Sequence, residues 1–119
     1  DDLLKQIEDE FGPLFDPCPN GFKIDGLSID WPMDKTAYVN PPYTRGQIGT
    51  WVEKCHQQFK RGLDVVMLIP SYTDTKYFHN FIYGQAELRF IKGRLAFKGY
   101  EGKPASFPSM LVVFKGVPE

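Results

Sequence analysis

Residues 37–70 read AYVNPPYTRGQIGTWVEKCHQQFKRGLDVVMLIP, and the order of patterns in this stretch predicts the fold. Ala37-Tyr38-Val39 is typical of a buried strand, and it leads directly into the tetrapeptide Asn40-Pro41-Pro42-Tyr43. Apolar residues then recur at the spacing of one helix face: Ile48, Trp51, Val52, Cys55 and Phe59. Asp64–Pro70 is a short apolar run with β-branched residues, as in strands that are buried on both faces. Strand, helix and strand in this order indicate two parallel strands of an α/β sheet.

Patterns outside this stretch add further elements. Helical spacing at the N-terminus ends at Gly12-Pro13, and Leu14-Phe15-Asp16 follows as a short strand. Thr73 or Asp74 can cap a second helix, which ends near Gly84. Three more strands are predicted, at Leu88–Ile91, Arg94–Phe97 and Ser109–Phe114. We therefore expect one α/β domain over residues 1–119, with a mostly parallel sheet and an antiparallel C-terminal edge.

Composition excludes several classes of protein. The chain has 119 residues, of which 42% are hydrophobic and 24% charged, so it can bury a core and is not disordered. Its longest apolar runs, Val65–Ile69 and Met110–Phe114, are too short to span a membrane, and no signal peptide opens the sequence. Cys18 and Cys55 form no C-x-x-C pair, which predicts reduced thiols in a cytoplasmic protein and no metal site.

The charge is divided unevenly along the chain. Residues 1–34 hold nine acids and two bases, net −7, whereas residues 35–119 hold twelve bases and six acids, net +6. A division of this size suggests that the two parts face different partners.

The tetrapeptide Asn40–Tyr43 carries the clearest chemical signal. It lies at the carboxyl end of a predicted strand, where open α/β sheets bind their ligands. Two prolines make a stiff turn, so that the Asn40 amide oxygen and the Pro41 carbonyl can accept both hydrogens of one planar amino group. Tyr43 offers a flat face on which a purine can stack. The structural alternative is a strand end followed by a proline turn, with Tyr43 in the core.

The chain resembles the DNA N6-adenine methyltransferases, most closely the small Dam-like family that is common in bacteriophages and some larger viruses. The resemblance extends from Phe11 to Gly116. It rests on the following segments: Phe15–Cys18, Asp30-Trp31, Val39–Tyr43, Val65–Pro70, Thr73–Thr75, Phe90–Leu95 and Phe107–Met110. It implies a minimal Rossmann-like methyltransferase fold and methyl transfer from S-adenosylmethionine to the N6 atom of a flipped-out adenine in DNA, at a specific site and without a metal.

The resemblance also implies roles for individual residues. Asn40, Pro41 and Tyr43 correspond to the set that binds the amino nitrogen, and Pro42 shapes the turn. The residues expected at the cofactor are Asp16, Pro17, Asp30, Trp31 and Asn40. Acids suit this place because S-adenosylmethionine carries a sulfonium and an ammonium group. One departure from the wider fold is that no Gly-rich loop follows Asp16, and only 13 residues separate Asp16 from Asp30. The usual first crossover must therefore be shortened to a loop.

Basic residues in the second half of the chain predict a DNA-binding surface. Residues 88–104 carry five bases and one acid, interleaved with aromatic residues. The expected nucleic-acid contacts are Tyr43, Arg45, Lys92, Arg94 and Lys98. An edge strand protected by lysines explains the same cluster without DNA.

Two alternatives to DNA methylation stay open at this point. One is a nucleic-acid-binding module of methyltransferase ancestry that has lost activity, and the shortened cofactor region motivates it. The other is methyl transfer to RNA adenine or to a protein glutamine. The target sequence and the oligomeric state cannot be inferred from the sequence. Asp1 stands in place of Met, which fits a chain that has been trimmed at its N-terminus.

Overall fold

The computed structural model describes residues 2–19, 25–42, 46–93 and 107–116. Within these ranges it contains α1 (Asp2–Phe11), α2 (Gln47–Lys60) and a π-helix (Phe78–Ile82). The strands of the described part are β1 (Leu14–Phe15), β2 (Thr36–Val39), β3 (Val65–Pro70), β4 (Glu87–Phe90) and β5 (Ser109–Phe114).

The strands form one mixed sheet in the order β1-β2-β3-β5-β4. β2 pairs in parallel with β1 and β3, whereas β5 is antiparallel to both β3 and β4. Strands β1 to β4 therefore run in one direction and finish at the same end of the sheet. We call this the carboxyl end of the sheet, and the opposite one the amino end. The arrangement is compatible with a Rossmann-like fold.

Apolar side chains cover both faces of the sheet. One cluster contains Val39, Met67 and Met110 together with the buried apolar residues of α2 and the π-helix, and we call this face the α2 side. The other cluster contains Val66, Leu68 and Val113 and packs against α1 through Ile7, and we call this face the α1 side. Every residue of β3 and of β5 is buried, as expected for central strands that are covered on both faces.

Most of the predicted elements are confirmed. The helix predicted from Ile48 to Phe59 is α2, and the strand predicted over Asp64–Pro70 is β3. The stretch from β1 to β2 contains no helix among residues 16–19 and 25–35, which agrees with a first crossover reduced to a loop. The strand predicted at Arg94–Phe97 lies outside the described residues.

Two predictions need correction. The antiparallel strand is not at the edge of the sheet, because β5 lies between β3 and β4 and the edge strand β4 runs parallel to β1–β3. The predicted second helix is a π-helix, and its cap is neither Thr73 nor Asp74. The hydroxyl of Thr75 instead accepts the Phe78 amide hydrogen at 3.3 Å and donates to the Tyr72 carbonyl at 3.0 Å. Several adjacent hydroxyl and carboxylate groups can cap a helix, and local sequence does not distinguish them.

No helix in the described part of the chain is both long and apolar enough to cross a membrane. Cys18 and Cys55 are free thiols, the second fully buried.

Candidate functional site

The tetrapeptide begins where β2 ends, between the ends of β1 and β3. Asn40 is exposed, Pro41 is buried and Pro42 is partly buried. Tyr43, like Arg45, lies outside the described residues. The next described residue is Gly46, whose φ of 82° is in the left-handed region that glycine adopts at little cost, and α2 starts directly after it. A polar side chain thus stands at the carboxyl end of the sheet on a turn stiffened by two prolines.

Asp16 lies at the same end of the sheet, directly after β1. Because Phe15 pairs with Ala37, Asp16 is level with Tyr38 on β2, and its Cα lies about 8 Å from that of Asn40 for ordinary strand spacing and rise. The carboxylate accepts the Cys18 amide hydrogen at 2.9 Å. Although Asp16 as a whole is exposed, burial of its carboxylate raises its pKa, and the hydrogen bond from Cys18 only partly offsets this.

The phenol of Tyr38 lies next to this carboxylate on the α1 side of the sheet. Burial raises the pKa of Tyr38 to about 12, and the negative charge of Asp16 adds to the effect. Tyr38 is therefore neutral at physiological pH and can serve only as a hydrogen-bonding and packing group beside Asp16.

Asp30 and Trp31 are held away from the tetrapeptide, at the last turn of α2. The fully buried Gln58 accepts the Trp31 amide hydrogen at 2.9 Å and donates to the Asp30 carboxylate at 3.3 Å. The guanidinium of Arg61 donates to the Trp31 carbonyl at 3.2 Å and also to the Gln58 side chain. We call these hydrogen bonds of Gln58 to Asp30, Trp31 and Arg61 the Gln58 clamp. Gln58 is eleven residues after Gln47, so the clamp lies about 16 Å along α2 from its first turn.

The indole of Trp31 is buried and hydrogen-bonded within the protein. The side chain is 1% exposed, and its ring nitrogen donates to the Gly26 carbonyl at 2.8 Å. Gly26 in turn packs directly on the loop after β1, since a Cβ at this position would lie 2.0 Å from the Pro17 carbonyl oxygen. Trp31 therefore supports the loop that carries Asp16, although it is not at the surface.

The structure thus brings only some of the predicted site residues together. Asp16, Pro17, Asn40 and Pro41 share the carboxyl end of the sheet, and Asp30 and Trp31 do not join them there. Exposed Lys92 follows β4 and lies at the same end, whereas Arg94 and Lys98 are outside the described residues.

Arg89, which belongs to the basic cluster predicted to bind DNA, forms ion pairs with two acidic side chains. Its guanidinium makes two hydrogen bonds to Glu10, at 2.6 and 2.8 Å, and two to Glu87, at 2.7 and 3.4 Å. These bonds raise the pKa of Arg89 and lower the pKa values of both acids. Arg89 joins α1 to β4 and is not available for phosphate contacts in this structure.

Gln58, which binds Asp30 and Trp31, could have been singled out from the sequence but was not. It lies three residues after Cys55 and seven after Trp51, on the apolar stripe of α2. A polar residue on a buried stripe needs a partner, because an unsatisfied buried amide is costly. The partners could not be named from the sequence, since Trp31 is 27 residues away.

Among the described residues, no group of three or more His, Cys, Asp or Glu side chains is arranged to hold a metal ion.

Comparison with known proteins identifies the family. The model of the DNA N-6-adenine-methyltransferase (Dam) family matches residues 21–117, which is most of the chain. The chain therefore belongs to this family. The matched region includes the tetrapeptide and the Gln58 clamp, and it begins after β1 and Asp16. No curated protein and no solved structure matches the chain.

Proposed function

We propose that this member of the DNA N-6-adenine-methyltransferase family transfers a methyl group from S-adenosylmethionine to the N6 amino group of adenine in DNA, at a specific site and with the target base flipped out of the helix. The observation that supports this most directly is the position of Asn40-Pro41 at the carboxyl end of the sheet, between two parallel strands. Ligands of open α/β sheets bind at this end.

In this proposal Asn40 and Pro41 bind the amino group through two acceptors, the Asn40 side-chain oxygen and the Pro41 carbonyl. Accepting both N–H hydrogens draws the nitrogen lone pair out of conjugation with the ring and aims it at the methyl donor. Pro42 keeps the two acceptors at a fixed separation, because its ring restricts the backbone. The rate then comes mainly from positioning and from polarisation of the amine.

The chemistry of the residues beside the tetrapeptide fits a cationic cofactor. Asp16 has a desolvated carboxylate, and no lysine or arginine of the described residues is paired with it. When bound, S-adenosylmethionine supplies an electrophilic methyl group on a sulfonium. Asp16 and Pro17 are proposed to hold the cationic amino-acid part, with Asn40 nearby. Asp30 and Trp31 are proposed to act on the cofactor through the loop that they support.

DNA is proposed to approach the carboxyl end of the sheet. Tyr43 would stack on the flipped adenine, at about 1–3 kcal/mol for a stacked base. Arg45, Lys92, Arg94 and Lys98 would contact phosphates next to it, since such contacts dominate affinity for nucleic acid.

The substitution Asn40→Ala tests the proposal. It removes one of the two acceptors, so we expect methyl transfer to DNA to fall at least a hundredfold, as when a charge-stabilising hydrogen bond is lost at a reacting centre. Asn80→Ala is the matched control, because Asn80 is also an exposed asparagine but lies in the π-helix. Transfer is measured with tritiated S-adenosylmethionine, and circular dichroism checks that both variants fold. Wild-type activity in the Asn40 variant would refute the role of this residue.

The same assay distinguishes the other acceptors and the inactive module. Double-stranded DNA, single-stranded DNA, RNA and protein are offered in parallel to the wild-type chain. Label on RNA or protein alone would replace DNA as the substrate. DNA binding with no heat of S-adenosylmethionine binding in a calorimeter would identify a nucleic-acid-binding module instead.

A further inference from the structure

Two buried hydroxyl groups in the segment after β3 have no hydrogen-bond partner in the described part of the protein. They belong to Ser71 and Tyr77. Burial raises the pKa of the Tyr77 hydroxyl, and the side chain of Thr75 partly offsets this effect, but the two hydroxyls do not meet hydrogen-bonding geometry. Unsatisfied buried hydroxyls are uncommon in folded proteins, since each of them loses its hydrogen bonds to water.

Tyr77 lies close to the tetrapeptide through its contact with α2. A Cβ at Gly49 would lie 3.5 Å from Cδ2 of Tyr77, so the phenol ring packs on the first turn of the helix that follows the tetrapeptide. The ring belongs to the cluster on the α2 side of the sheet. Tyr77 directly precedes the π-helix, in the segment that follows β3.

Ser71 is on the same side and at the same end of the sheet. Its amide donates to the Pro108 carbonyl at 2.9 Å, so the strand geometry continues one residue beyond β3. Side chains alternate along a strand, and Ser71 therefore faces the α2 side with Ile69. Both hydroxyls thus lie at the end of the sheet, and on the face, from which the tetrapeptide leads into α2.

We propose that Ser71 and Tyr77 form a second wall of the target-base pocket and that one of their hydroxyls donates a hydrogen bond to a ring nitrogen of the adenine. The inference rests on the proposed function. In the proposed pose the Asn40 side-chain oxygen and the Pro41 carbonyl accept hydrogens from the amino group, and neither oxygen contacts a ring nitrogen of the base. The ring nitrogens beside that group, N1 and N7, are acceptors and need a donor. A hydroxyl with no other partner can supply it.

Removal of each hydroxyl tests the proposal, because a role in base binding lowers kcat/KM without lowering the melting temperature, whereas a structural role lowers the melting temperature. Tyr77→Phe and Ser71→Ala delete no hydrogen bond of the free protein, so the melting temperature stays the same or rises. We expect at least one of the two to lower kcat/KM for methyl transfer about tenfold, as for one lost hydrogen bond.

Two control variants are available in the same chain. The hydroxyl of Ser109 is also buried without a partner, but Ser109 lies on β5 with Leu111 and faces the α1 side. Tyr83 is 68% exposed at the end of the π-helix. Ser109→Ala and Tyr83→Phe should therefore leave kcat/KM unchanged.

Modified DNA identifies the ring nitrogen. Random-sequence duplexes are prepared with 7-deazaadenine or with 1-deazaadenine in place of adenine, both of which keep the amino group. The wild-type protein should lose about tenfold on one of them, and the sensitive variant should lose nothing further on that DNA. If both hydroxyl variants keep wild-type kcat/KM on ordinary DNA, or if their loss persists on both analogues, the inference is wrong and the proposed function stands. If the wild-type chain methylates no DNA, the proposed function fails and the pocket with it.

Discussion

Asp16 lies at the carboxyl end of the sheet, and its charged carboxylate loses part of its hydration on folding. Folding raises the pKa of its carboxyl group, because desolvation outweighs the hydrogen bond from Cys18. An acid whose pKa is higher in the folded than in the unfolded chain binds more protons when folded, so its charge reduces stability at pH values above its unfolded pKa of about 4. A cationic ligand at this position would favour the charged form of the carboxyl group and so offset the cost of its burial.

The substitution Asp16→Asn separates these two properties. It keeps an oxygen that can accept the Cys18 amide hydrogen and removes the charge. We expect the variant to have a higher free energy of unfolding than the wild-type chain at neutral pH, with the difference shrinking as the pH falls towards about 4. We also expect its affinity for S-adenosylmethionine to be lower.

Urea unfolding across this pH range and calorimetric titration with S-adenosylmethionine measure the two effects. Asp34→Asn is the control, because Asp34 is an exposed acid that precedes β2 at the amino end of the sheet. Equal cofactor affinity in the Asp16 variant and the wild-type chain would remove Asp16 from the proposed cofactor site.

At the scale of elements, the loop before β2 is attached to the end of α2 by the side chain of Gln58, and Arg61 adds a hydrogen bond to the Trp31 carbonyl. Gln58 accepts the Trp31 amide hydrogen and donates to Asp30, and Trp31 then reaches Gly26, which lies on the backbone of Pro17. This chain of contacts connects the last turn of α2 to the loop that carries Asp16. The first crossover, whose described residues 16–19 and 25–35 form no helix, is therefore held in place by polar contacts to α2.

The substitution Gln58→Leu tests this connection. It keeps the side chain close in volume but leaves the buried Trp31 amide without its acceptor, which should lower the free energy of unfolding by about 1–3 kcal/mol. Gln57→Leu is the matched control, since Gln57 is the exposed neighbour on the same helix and should change stability little. Urea unfolding followed by circular dichroism measures both, and equal stability of the two variants would contradict the role assigned to Gln58.

The elements that could be predicted from the sequence are those with a periodic pattern. Apolar spacing located α2, and an unbroken apolar run located β3, because burial acts on every residue of such an element. The tetrapeptide could be placed at a strand end for the same reason. The Gln58 clamp and the bond from Arg89 to Glu10 could not be predicted, since their partners are 27 and 79 residues apart and leave no local pattern.

For the whole molecule, the structure changes the meaning of the uneven charge. Part of the acidic N-terminal region is used internally, because Glu10 on α1 neutralises Arg89 on β4. The guanidinium of Arg89 also lies over the ring of Phe11, with its Cζ 5.8 Å from the ring centroid, and this contact adds to the attachment of α1 to the sheet. The number of basic residues therefore does not show which of them bind DNA. The proposed chemistry requires the DNA-binding residues to lie at the carboxyl end of the sheet.

Lys76 and Lys92 are exposed at the carboxyl end, in the segments that follow β3 and β4, whereas Lys35 and Lys60 are exposed at the amino end, before β2 and at the end of α2. If DNA approaches the carboxyl end, the double variant Lys76→Ala, Lys92→Ala should bind it more weakly. The slope of log affinity against log salt concentration should also become shallower by about 1 for each lost phosphate contact.

The double variant Lys35→Ala, Lys60→Ala removes the same charge and should keep the wild-type slope. Fluorescence anisotropy with a labelled duplex at several salt concentrations measures both. Because the two variants have equal net charge, a general electrostatic effect predicts equal slopes, and only docking at one end of the sheet separates them.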